Sequence, residues 1–154
     1  MAPHTPGAAR LQTSRAGAGL RALRWFTLLL LCAAYLQGGL NKLLDFGGAV
    51  GEMQHFGLQP AAPLAAAVIA FELGAAAMVL SGRLRWLGAA WLALFTVAAS
   101  FIANRYWEMA GMERFMAANS FYEHLGLAGG FLLVAWHDLA DKSGKGGAWH
   151  AERP

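Results

Sequence analysis

The sequence predicts an all-α membrane protein: a four-transmembrane-helix bundle with N and C termini cytoplasmic. Three observations predict it. The chain is 57% hydrophobic and 14% charged, against about 25% charged residues in a typical soluble domain. Its charges are clustered, and between the clusters lie runs close to the ~20 residues a helix needs to cross the hydrocarbon. The run at 86–103 carries no charge and is apolar all round, which leaves no polar face for water.

The elements follow in order. Residues 1–24 are rich in Ala, Gly and Arg, with Pro3 and Pro6, and the first acid of the whole chain is Asp45. We read 1–24 as a disordered basic cytoplasmic tail. An Arg-rich, acid-free start is also the composition of an organellar transit peptide, and Leu28–Ala34 has the length of a signal-peptide core. Leu31 before Cys32 fits a lipoprotein cleavage site poorly, and an uncleaved anchor is the reading adopted. The first span covers about 25–44 and the second 61–80, whose one charge is Glu72. Pro60 and Pro63 stand at its start, where proline is tolerated. The third span covers 86–103. The fourth covers 115–136 and contains Glu123 and His124. Residues 139–154 form a cytoplasmic C-terminal tail. Unpaired backbone groups find no water in the hydrocarbon, so helix is the economical conformation for each run. The short Ser81–Arg85 turn makes spans two and three an antiparallel hairpin. The loops Asp45–Pro60 and Asn104–Asn119 are longer, and each has the length to fold back as a short interfacial helix.

Positive charge assigns the sides. With the tails and the Ser81–Arg85 turn together, one side holds Arg10, Arg15, Arg21, Arg24, Arg83, Arg85, Lys142, Lys145 and Arg153. The other holds Lys42, Arg105 and Arg114. The termini therefore fall in the cytoplasm, with Trp25, Trp86 and Trp136 at inner-face span ends and Trp107 near the outer face.

Composition also excludes functions. The net charge is +3 and the pI about 9.4, but the basic residues lie at span ends, where they meet anionic headgroups. No basic stripe interleaved with aromatics marks a nucleic-acid surface. The one cysteine, Cys32, rules out an intramolecular disulfide, a thiolate zinc site, a cysteine-ligated Fe-S cluster and a CxxCH covalent haem attachment. No nucleotide loop or GxSxG motif is present.

Intramembrane polar groups are costly and mark candidate sites. Glu72 stands about 16 Å into its span at ~1.5 Å per residue, near the midplane. With the sides assigned, Gln37, Asn41, Lys42 and Asp45 end the first span toward the outer leaflet. Asn104 and Arg105 end the third there, and Glu123 and His124 lie in the outer half of the fourth. Glu123, Gly126 and Gly130 share one helix face, and Gly126 and Gly130 form a GxxxG pattern that permits close helix approach. Glu123 is therefore expected to point into the bundle toward Lys42 or Arg105. His137 and Asp138, closing the fourth span, are expected to meet water. Two readings of the polar set stay open: a quinone-sized or proton-handling site, and an ion-pair network that holds the helices in register. No metal site is expected, since only Glu123, His124 and His55 are placed to converge.

Three segments resemble the DoxX family of small four-helix membrane proteins. They are Gly39-Leu-Asn-Lys-Leu-Leu-Asp-Phe46, Phe71-Glu-Leu-Gly-Ala-Ala-Ala-Met-Val-Leu-Ser-Gly82, and Arg105-Tyr-Trp107 with Phe121-Tyr-Glu-His-Leu-Gly-Leu-Ala-Gly-Gly130. The resemblance spans residues 25–138 and implies Lys42, Glu72, Trp107, Gly129 and Gly130 as family-type positions. It departs at Glu123-His124, where many members have Lys-Asn. It implies a loose function. The family name comes from a membrane subunit linked to thiosulfate:quinone oxidoreduction, other members occur beside redox and stress-response proteins, and distant relatives look like membrane chaperones.

Two functions follow as expectations. The first is an inner-membrane accessory subunit, linked to quinone or redox chemistry and acting with another membrane or soluble redox protein. If it is part of an enzyme, it is the membrane subunit of an oxidoreductase. The second is a non-enzymatic membrane chaperone, assembly or interaction protein. Quinone is the candidate cofactor, the lipid bilayer the certain partner, and homo-oligomerisation stays open.

Overall fold

The computed structural model describes the backbone of residues 6–148 and the side chains of residues 17–144. The expected tail residues 1–5 and 149–154 lie outside the described residues. The described chain is helical: α1 Pro6–Leu44, α2 Phe46–His55, α3 Ala61–Ser81, α4 Arg85–Ala103, a 3-10 turn Tyr106–Glu108, and α5 Gly111–Ala148. Among the described residues, three runs are long and apolar enough to cross a membrane: Gly17–Leu44, Ala61–Ser81 and Arg85–Glu108. The fourth expected span lies within α5, whose apolar content is diluted by Asn119, Glu123 and His124.

Helix extends into both expected tails. Residues 6–24 are helical and continue into the first span. Their Ala, Leu and Arg are strong helix formers, and their glycines do not outweigh them. At the other end α5 runs through Ala148, helped by an Asp138–Lys142 ion pair of 2.8 Å one turn apart. The loop Asp45–Pro60 holds α2. Asp45 breaks α1 from α2 by accepting the Gly48 N–H at 2.9 Å, an N-cap contact.

The core runs between α1, α3, α4 and α5. Leu28, Cys32 and Tyr35 face Ala75, Ala76 and Val79, then Ala89, Leu92 and Ala93, and finally Ala128, Phe131 and Ala135. Each set repeats at helical spacing, so each helix contributes one stripe. Alanine dominates the stripes and lets the backbones approach, as small residues do between membrane helices. At Gly88 the approach is closest: a Cβ there would stand 2.7 Å from the Ala75 carbonyl oxygen. Tyr35 and Phe131 pack edge to face at 5.4 Å across the bundle. A smaller cluster joins Ala49 and Met53 of α2 to Ala61 and Ala65 of α3.

The α3–α4 turn uses Gly82 at φ +78, a backbone angle glycine adopts without a Cβ clash. The N-cap residue of α4, Leu84, has no side-chain oxygen to offer. Asp138 of α5 supplies it instead, accepting the Trp86 N–H at 3.2 Å while Arg85 lies at 3.9 Å and Lys142 at 2.8 Å. Asp138 is therefore buried, contrary to the expectation that it meets water. A carboxylate at a helix N-terminus is favoured by the helix dipole. Burial alone would raise its pKa. The Lys142 and Trp86 hydrogen bonds and the two cations outweigh that and hold the carboxyl below its ordinary range.

Candidate functional site

The long side chain of Lys42 does not end at the outer surface. It folds back along α1 toward α3, where its Nζ meets both Glu72 carboxylate oxygens, at 3.3 and 3.4 Å. Two glycines make this possible. A Cβ at Gly38 would sit 3.6 Å from the Lys42 Nζ and 3.8 Å from Glu72 Oε2, so a larger side chain would occupy the space of the pair. A Cβ at Gly39 would meet Leu73 at 2.8 Å, so α3 packs there against bare backbone. Glu72 is 5% exposed. It is thus paired, where the sequence reading left it alone near the midplane.

The pair lies on the wall of a cavity of about 430 Å³ bounded by α1 to α5. Most of the lining is apolar, including Phe56, Leu58, Val68, Phe95, Ile102 and Leu127. Polar groups enter at three places: Lys42–Glu72, the Tyr35–Thr96 hydroxyl pair, and His124. Glu52 of α2 lines the rim. Volumes of roughly 300–1,000 Å³, mostly apolar with a few placed polar groups, characterise small-molecule sites.

Hydrogen bonding fixes the protons. The Thr96 hydroxyl donates to the Leu92 carbonyl at 2.5 Å, so the Tyr35 hydroxyl donates to Thr96. The His124 Nδ1 stands 2.5 Å from the Ser120 carbonyl oxygen. A carbonyl only accepts, so Nδ1 carries a proton, and in the neutral ring Nε2 is left as an acceptor.

The other sequence candidates disperse. Asn41 lines a neighbouring pocket with Lys42 and Asp45. Gln37 is exposed. Arg105 pairs with Glu108 at 3.2 Å on the surface. Glu123 is exposed and does not point into the bundle. The reason lies in its helix face: a Cβ at Gly126 or Gly129 would meet nothing within 4 Å, and only Gly130 of the three closes on a neighbour, Leu31 at 3.2 Å. Trp107 belongs to an aromatic group with Phe101, Tyr106 and Phe121. Among the described residues no three His, Cys, Asp or Glu gather to hold a metal ion.

Sequence reasoning missed Tyr35, Thr96 and Glu52. Tyr35 and Thr96 had a signal, since each is a polar residue inside an otherwise apolar run. Glu52 had none, because its place depends on how α2 folds back.

Among known families, the model described as DoxX matches residues 20–105. No curated protein matches the chain, and no solved structure does. The matched stretch contains Lys42, Glu52, Glu72, Tyr35 and Thr96, whereas His124 lies beyond it.

Proposed function

The chain belongs to the DoxX family, and from that premise we propose that its cavity receives the ring of a membrane quinone or quinol on behalf of a redox partner protein. The family and three apolar helices make it a multi-pass membrane protein. The proposal adds α5 as a fourth span, places the termini in the cytoplasm by the positive-charge asymmetry, and puts the bundle in the inner membrane.

The observation that carries the reading is His124. Its Nδ1–H is committed to Ser120, and the ring lines an apolar chamber that also holds an ammonium–carboxylate pair. A quinol brings two O–H groups and two electrons. His124 Nε2 accepts the hydrogen bond of one hydroxyl and is the base for its proton. The Glu72 carboxylate accepts the hydrogen bond of the other hydroxyl and takes the second proton, and once the ring is a quinone the Lys42 ammonium donates to one of its carbonyls. Phe95, Ile102 and Leu127 exclude water from the ring. The electrons pass to the partner, because the single Cys32 provides no thiol pair to hold them.

Purification in mild detergent, with analysis of the lipid extract and titration with decylubiquinol, tests this. A saturable site is expected, and His124→Phe weakens it about tenfold, the equivalent of ~1.4 kcal/mol. An extract without quinone and a titration without saturation would refute it. A second reading, a non-enzymatic chaperone or assembly protein, draws on the exposed Phe101, Trp107 and Tyr122 around Phe121. Aromatic side chains of this kind anchor protein partners, and in-membrane crosslinking to one recurrent client would favour it.

A further inference from the structure

Two cavities meet where α1 gives way to α2. One is the apolar chamber. The other, about 460 Å³, is walled by Asn41, Asp45 and the first turns of α2, and Asn41, Asp45, Gly48 and Glu52 are exposed to the surroundings. Lys42 and Glu52 line both. These two side chains therefore offer a path from the outer pocket to the buried Glu72. Each volume is several times the ~30 Å³ a water molecule takes up in the liquid, and the polar walls offer it partners.

The Lys42–Glu72 contacts, 3.3 and 3.4 Å, are longer than the ~2.7–2.9 Å of a tight charge-assisted bond. An ammonium has three donors, and the Lys42 side chain lines both pockets beside Glu52, so a change of its rotamer can offer it a second carboxylate. Among the described residues the Glu52 carboxylate makes no ion pair.

We propose that Glu52 is the proton gate of the chamber. The Glu52 carboxylate takes a proton from a hydronium ion or buffer acid in the outer pocket and passes it, through water in the cavity, to the Glu72 carboxylate. Glu52 is then a carboxylate again and receives the Lys42 ammonium that Glu72 no longer needs. One proton enters, none is lost, and Lys42 keeps an anionic partner in both states.

The surrounding groups leave this route open. From α1, Asp45 is held by its cap to Gly48. On α2, His55 lies one turn beyond Glu52 and meets Phe56 edge to face. From α4, the Thr96 hydroxyl is committed to Leu92. Also from α1, the Tyr35 hydroxyl is committed to Thr96, and from α5 the His124 Nδ1–H is committed to Ser120, which leaves its Nε2 as the one other acceptor facing the chamber. The gate concerns the chain with no ligand bound and does not depend on the quinone reading.

The test uses the full chain in lipid nanodiscs without quinone. A pH jump is followed by infrared absorption of carboxylic C=O groups, and the Glu72 band is identified by its loss in Glu72→Gln. With the jump taken to a final pH at which the band is complete in both chains, Glu52→Gln is expected to slow its rise about tenfold or more, and Glu52→Asp to restore most of the rate. Glu52 is exposed, so neither change threatens the fold. A wild-type rate in Glu52→Gln would overturn the proposal. So would the absence of a Glu72 band at every pH at which the bundle stays folded.

Discussion

Replacing Lys42 by methionine keeps the length of the side chain and removes its charge, leaving Glu72 buried without a partner. The two charges are 3.3 Å apart, an attraction of about 5 kcal/mol at an effective dielectric constant near 20. Desolvation offsets much of that, so the net worth of the intact pair is small. Removing one partner is another matter. With the Glu72 side chain 7% exposed, Lys42→Met should destabilise the bundle by about 3–5 kcal/mol. Glu72→Gln should cost less, about 1–2 kcal/mol, because the Lys42 side chain, 19% exposed, can extend its ammonium back toward water. The double variant should cost about as much as Glu72→Gln alone, a coupling of about 3–5 kcal/mol, the whole cost of Lys42→Met. Steric-trap unfolding in bicelles measures all three. A coupling under about 0.5 kcal/mol, the value of an exposed pair, would refute the reasoning that Gly38 and Gly39 create a buried pair.

Three further outcomes are expected. Gly88→Ala, whose new methyl meets the Ala75 carbonyl, should lose about 1–3 kcal/mol, whereas Gly126→Ala, facing open space, should be neutral or gain up to about 1 kcal/mol; the same unfolding assay decides. Asp138 has a lowered folded pKa, so its contribution is complete above the ordinary carboxylate range and is lost as pH falls through the lowered value. Acid unfolding of Asp138→Asn should lack that component, and an unchanged profile would count against the clasp. Nitrogen-15 spectra of labelled histidine should show neutral His124 protonated at Nδ1, and an Nε2–H tautomer would contradict the Ser120 contact.

The hydrophobic runs were legible because length and apolarity decide whether a segment can cross a bilayer, and both are local properties. The orientation of a face was not. Helical spacing correctly put Glu123, Gly126 and Gly130 on one side of α5, but it does not say whether that side faces inward. The buried stripe is instead Phe121, Ala128, Phe131 and Ala135, spaced just as regularly. Lys42 and Glu72 were both legible as candidates. Their pairing was not, because it depends on a lysine stem folding inward over Gly38, a contact between helices far apart in sequence. Asp138 was misjudged for the same reason, since the N-terminus it caps belongs to α4. The cavity was invisible in the sequence, being a space between helices that α2 folds back to line.

The central claim is that this cavity, and not the lipid-facing surface, receives a quinone ring. Photolabelling with an azido-ubiquinone in nanodiscs, followed by peptide mapping, tests it most directly. The account predicts adducts on chamber residues such as Phe56, Phe95 and Leu127, suppressed by excess decylubiquinol and reduced in His124→Phe. Adducts confined to outward residues such as Leu94, Leu132 and Leu133, indifferent to competitor and to His124, would contradict it.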